Sequence, residues 1–79
     1  MSREEILSIV NEIFVDAFDR EDLVINFETT ASEVEGWDSL MQMNLIEMIE
    51  DEFNMRFDMD EVVGMENVGA MIDIILSRI

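Results

Sequence analysis

Not one proline interrupts the 79 residues of this chain, and its apolar residues recur three and four apart almost from end to end. Proline would remove a backbone donor and clash with the preceding turn, so its absence leaves every segment free to be helical. The three-and-four spacing stacks apolar side chains on one face of each helix. Ser2, with Glu5 three residues on, has the spacing of a capping box and starts a first helix. Its stripe is Ile6, Ile9, Val10, Ile13, Phe14, Ala17 and Phe18, and the pattern fails between Asp19 and Asp22. Residues 21–37 form a long connection in which Leu23, Val24, Ile25 and Phe27 are expected to tuck into the core. Thr30 and Glu33 repeat the capping-box spacing as a short turn, and Gly36 closes the loop.

A second helix is predicted from Ser39 to Phe53, capped by Asp38. Leu45, Ile46, Ile49 and Phe53 fall on its core side; Leu40, Met43, Asn44, Glu47, Glu50 and Asp51 fall on another. After a link at Phe57, a short third helix over residues 58–63 has Asp58 and Glu61 at cap spacing and Gly64 to stop it. The last helix spans about Asn67 to Arg78, with Val68, Met71, Ile72, Ile75 and Leu76 inward. The expectation is an all-α, small four-helix bundle, three longer helices and one short third helix, in one domain over residues 1–79.

Twenty acidic residues against four basic ones leave a net charge of −16. Phosphate would repel such a surface, which excludes nucleic acid and anionic membrane surfaces as partners and favours proteins with basic patches. Self-repulsion should cost stability, and magnesium held by localised carboxylate clusters is expected to relieve it. No cysteine is present, so no disulfide braces the small core. From the opening Met-Ser-Arg-Glu-Glu no signal peptide is expected, and no apolar run approaches a membrane span. A cytoplasmic monomer is expected.

Ser39 is the residue with chemistry to offer. A nucleophilic serine needs a base, and the chain has no histidine; nor does a Gly-x-Ser-x-Gly elbow surround it. A hydrolase is excluded on those grounds. A phosphate ester at the same hydroxyl is another matter, because a helix N-terminus presents unpaired N–H groups and the positive end of its dipole. The plain alternative is that Asp38 is an ordinary cap and Ser39 a first-turn residue.

The run Gly36-Trp37-Asp38-Ser39-Leu40, followed by Met43, Leu45-Ile46 and Ile49-Glu50-Asp51-Glu52-Phe53, resembles the acyl carrier protein family. The likeness extends over nearly the whole chain: an acidic first turn after Ser2, a long first loop, a short third helix and an apolar last one. Such proteins are not enzymes. The resemblance implies that Ser39 is esterified by 4′-phosphopantetheine, taken from coenzyme A by a phosphopantetheinyl transferase, and that Asp38 and Leu40 complete the motif read by that transferase. The terminal thiol of the arm would then hold an acyl group as a thioester. The resemblance further implies that acyl-loading and acyl-processing enzymes with basic patches dock on Glu47, Glu50 and Asp51, with Leu40 and Met43 as apolar contacts. An acyl pocket would be lined by Leu45, Ile46, Ile49, Phe57, Val62, Met65, Met71 and Ile72. Eight methionines suit a deformable core that opens for a chain.

Three positions depart from many fatty-acid carriers. Trp37 stands where a small residue is usual, Met41 where an acidic one is, and Glu47 where the contact surface is often apolar. Tryptophan before Asp-Ser-Leu is similar to stand-alone carriers of specialised pathways such as polyketide, hybrid peptide or lipid-tailoring systems. As a side chain, Trp37 reads as a hydrophobic plug over the loop. An aminoacyl or peptidyl carrier, or an acidic helical adaptor that is never modified, remains an alternative. A calcium sensor does not fit: in a loop starting at Asp58, Val63 stands where glycine is needed and Gly69 where glutamate is. No metal ligands are expected.

Overall fold

Local capping sets the helix starts. In the computed structural model, which describes residues 1–79, helix α1 runs Arg3–Phe18, α2 Ser39–Phe53, α3 Met59–Val63 and α4 Val68–Arg78, with a 3-10 turn at Ala31–Glu33 in the first loop. Ser2 Oγ accepts from the Glu5 N–H at 3.2 Å while Glu5 Oε1 accepts from the Ser2 N–H at 2.9 Å, the reciprocal capping box at the head of α1. Two helices end on a non-glycine residue in the left-handed region, Asp19 (φ 53°) and Asn54 (φ 52°). Aspartate and asparagine are the residue types that tolerate it best after glycine. No helix is long and apolar enough to cross a membrane.

Helix α1 packs on α2 and α4. Ile6, Val10, Ile13 and Phe14 of α1 meet Leu45, Ile46 and Ile49 of α2 and Val68, Met71, Ile72 and Ile75 of α4, joined by Ile25 from the first loop and Met55. Helix α3 buries no residue fully. Of the eight methionines only Met55 and Met71 are buried, and Met1, Met43 and Met59 are exposed.

Two expected core residues lie outside. Val24 is 82 % exposed, because the loop is extended there and its side chains alternate. Asn11 fixes that register: its Nδ2 donates to the Leu23 carbonyl (3.2 Å) and its Oδ1 accepts from the Ile25 N–H (2.7 Å). Leu23, Ile25 and Phe27 therefore pack inward and Val24 outward. Leu76 is 38 % exposed. At about 100° per residue it lies some 40° beyond Ile72, past the edge of the buried stripe.

Three of the four arginines fasten loops. Arg3 Nε donates to Asp73 Oδ1 at 2.9 Å with its guanidinium 4.2 Å from the Phe27 ring centre, and Arg20 Nη2 donates to the Glu35 carbonyl at 2.6 Å. Arg78 donates to the Arg56 carbonyl (2.7 Å) and to Glu61 Oε2 (2.6 Å).

The carboxylates do not gather as the charge balance led us to expect: no group of three or more is arranged to hold a metal ion. Beyond the ion pairs of Arg3 and Arg78, the repulsion is then expected to be relieved by screening. Thermal melts should show a rise in melting temperature with sodium chloride, and magnesium chloride at equal ionic strength should add nothing further. An extra rise with magnesium would reveal a cation site.

Candidate functional site

The loop delivers Ser39 to the surface through three local devices. Gly36 adopts φ +90°, open to glycine and strained for other residues, and turns the chain toward α2. Trp37 then folds back onto α1, its ring edge-on to buried Phe14 with centroids 5.0 Å apart, and its Nε1–H donates to Gln42 Oε1 at 2.7 Å. Asp38 caps the helix: Oδ1 accepts from the Met41 N–H at 2.9 Å. Trp37 is thus a plug, as expected, but one tied by a polar bond as well.

Asp38, Ser39 and Leu40 come together at the head of α2, all exposed, with Leu40 at 82 %. The Ser39 and Leu40 N–H groups meet no acceptor in the protein. At the head of α4, by contrast, Val68, Gly69 and Ala70 donate to the Thr29 carbonyl, the Phe27 carbonyl and Asn67 Oδ1. The start of α2 therefore offers two free donors and a positive dipole end beside an unencumbered hydroxyl, which suits a phosphate ester.

The second stripe of α2 faces outward. Leu40, Met43, Glu47 and Asp51 are exposed and line an open groove of ≈ 990 Å³ together with Glu50 and Arg56. Glu50 is half-buried, and its Oε2 accepts from the Phe57 N–H at 2.9 Å, holding the α2–α3 link. Sequence reasoning gave it no such local bond, since the link's path is a tertiary feature.

The eight residues expected to line an acyl pocket belong to one apolar cluster. Leu45, Ile46, Ile49, Met71 and Ile72 are buried in it, and Phe57, Val62 and Met65 pack against it half-buried. Val62 and Met65 also line a smaller cleft of ≈ 320 Å³ that opens beside Ser39 and Gln42. Helix α3, which carries Val62, is held by polar contacts. Glu61 Oε1 accepts from the Asp58 N–H at 2.9 Å, and the Arg78 guanidinium lies on its other oxygen. The Asp58 N–H, and after it Arg78, hold the Glu61 carboxyl below its ordinary range. Gln42, Arg56 and Arg78 were not singled out from the sequence; the partners of Gln42 and Arg78 lie across turns and loops that helical spacing does not reach.

The sequence profile described as "Phosphopantetheine attachment site" matches residues 8–75. Among solved structures, the chain is similar to the holo acyl carrier protein from Geobacter metallireducens, with 33% sequence identity, a TM-score of 0.86, and coverage of 91% of this chain and 83% of that one. No curated protein matches significantly. A profile over most of the chain, a shared fold and a serine offered at a helix start agree: this chain belongs to the acyl carrier protein family, whose members are not enzymes, bear a covalently attached phosphopantetheine and work with partner enzymes.

Proposed function

We propose that the whole chain acts as one carrier domain for acyl intermediates and that Ser39 is the residue esterified by 4′-phosphopantetheine. The observation that carries this is the exposed Ser39 hydroxyl at the head of α2, beside two unpartnered N–H groups, while Asp38 spends a carboxylate oxygen on its cap. The arm, once attached, supplies the thiol that holds an acyl group as a thioester. The phosphate is favoured at the dipole's positive end by about 0.3–1 kcal/mol. Asp38 and Leu40 flank the serine as the contacts for the transferase.

Leu40, Met43, Glu47, Glu50 and Asp51 form the docking face. Exposed carboxylates speed encounter with a basic patch, and the two apolar side chains give the complex dry contact. The acyl chain is housed among Leu45, Ile46, Ile49, Phe57, Val62, Met65, Met71 and Ile72, where methionine lets the core deform. Trp37 and Met41 favour a specialised acyl pathway over housekeeping fatty-acid synthesis.

Intact mass after incubation with coenzyme A and a broad-specificity phosphopantetheinyl transferase tests the assignment. The wild type should gain one phosphopantetheine. The double variant Glu47→Lys/Asp51→Lys should react about tenfold more slowly at low salt, and the gap should close as salt rises. A folded protein that gains nothing would leave the unmodified acidic adaptor as the better reading. Equal rates at low salt would remove these carboxylates from the docking face.

A further inference from the structure

We propose that Gln42 is a positioning residue, whose side-chain N–H₂ receives a carbonyl oxygen of the arm or of its thioester as cargo passes from Ser39 toward the core. This rests on the assignment of Ser39 above.

The direction of the amide is fixed from one side. Trp37 Nε1–H is a donor only, so the atom 2.7 Å away on Gln42 is the oxygen, and the N–H₂ must face the other way. The indole is itself fixed against Phe14, which is fully buried. The N–H₂ therefore has one place to point. It donates to Met65 Sδ at 3.5 Å, across the cleft that opens beside Ser39.

That contact makes a weak bar. A thioether is a poor acceptor, and a methionine side chain moves easily. Trp37, Val62 and Met65 line the cleft and pack against the core cluster; Trp37 is held by Phe14 and Gln42, so a chain that enters from Ser39 displaces the more mobile Met65. The half-buried amide then loses its acceptor, which is costly unless the incoming group brings one. A methylene brings none. The amide carbonyls of the arm and the thioester carbonyl would each bring one. Gln42 thus holds a carbonyl at the mouth and leaves the hydrocarbon beyond it in the core.

Gln42 is the only glutamine and Trp37 the only tryptophan in the chain, so selective ¹⁵N labelling gives one side-chain amide and one indole signal. Spectra of the unmodified, phosphopantetheinyl and octanoyl forms, each verified by intact mass, are compared, together with Gln42→Glu. That variant keeps an oxygen for the Trp37 indole and lacks the donor. The Gln42 N–H₂ protons should move downfield and exchange more slowly with solvent. A change in the phosphopantetheinyl form identifies an arm carbonyl; one confined to the octanoyl form identifies the thioester. Octanoylation should raise the wild-type melting temperature over the phosphopantetheinyl form, and Gln42→Glu should lose most of that rise, with its indole signal the same in its own phosphopantetheinyl and octanoyl forms. Gln42 signals unchanged through all three forms, or a full rise in Gln42→Glu, overturn the proposal. A protein whose mass never shows the arm overturns the assignment of Ser39, and this proposal with it.

Discussion

Ser39→Ala will gain no mass with coenzyme A and a transferase, yet will melt within about 3 °C of the unmodified wild type. The fold asks nothing of the hydroxyl: it is exposed and makes no hydrogen bond in the protein, while the capping bond to Met41 belongs to Asp38. Alanine is the best helix former, so the first turn of α2 loses nothing by the change. Asp38→Ala should behave in the opposite sense. It removes the bond to the Met41 N–H, a loss of about 1 kcal/mol for such caps, or roughly 4–8 °C in a domain of this size. The pair separates the two meanings of this helix start, since one residue holds the helix and its neighbour is the one proposed to carry the arm. Modification of Ser39→Ala would move the attachment elsewhere, Ser32 in the preceding turn being the nearest other serine.

What could be read in advance was what is local. Ser2 with Glu5, Asp38, and Asp58 with Glu61 cap within three residues, and the structure shows bonds of each. The stripe of α1 and the buried face of α2 follow from the helical period. Val24 escaped because the register of an extended loop is set by Asn11, on another element. Leu76 escaped because it sits at the margin of a stripe, where the edge of the core decides burial. Glu50 read only as a carboxylate of the outward stripe and Gln42 as an ordinary polar helix residue; their hydrogen bonds depend on where Phe57 and Trp37 are brought by the links around α2. Ser39 stood out as the candidate attachment residue because that chemistry needs only an exposed helix start and a flanking motif, both written in consecutive residues. The residues of the proposed acyl pocket were legible only as apolar ones, and the structure places them in one cluster, since a pocket is a choice among packings of the same core.

The largest loss of stability from a single methyl group should come from Gly69→Ala, in the first turn of α4 and far from Ser39 in sequence. A Cβ built there would lie 2.8 Å from the Phe27 carbonyl oxygen, a backbone atom, with Phe27 Cβ and Asn67 Oδ1 at 3.4 Å. Alanine would ordinarily favour a helix over glycine by up to about 1 kcal/mol, so the cost is steric and not conformational. The close approach exists because the loop satisfies the head of α4: the Phe27 carbonyl accepts from the Gly69 N–H at 2.8 Å and the Thr29 carbonyl from the Val68 N–H at 2.9 Å. Moving the loop away to make room stretches both bonds. It also lifts Phe27 from beneath the Arg3 guanidinium, which is tied in turn to Asp73 of α4. Overpacking of this kind costs about 1–3 kcal/mol, so the melting temperature should fall by roughly 5–20 °C. Hydrogen exchange locates the damage, because the Val68 and Gly69 amides should lose protection before those of α1. A variant that melts at or above the wild type would mean that the loop yields freely, and that its two carbonyls are convenient partners for α4 and not what holds residues 21–37 against the bundle.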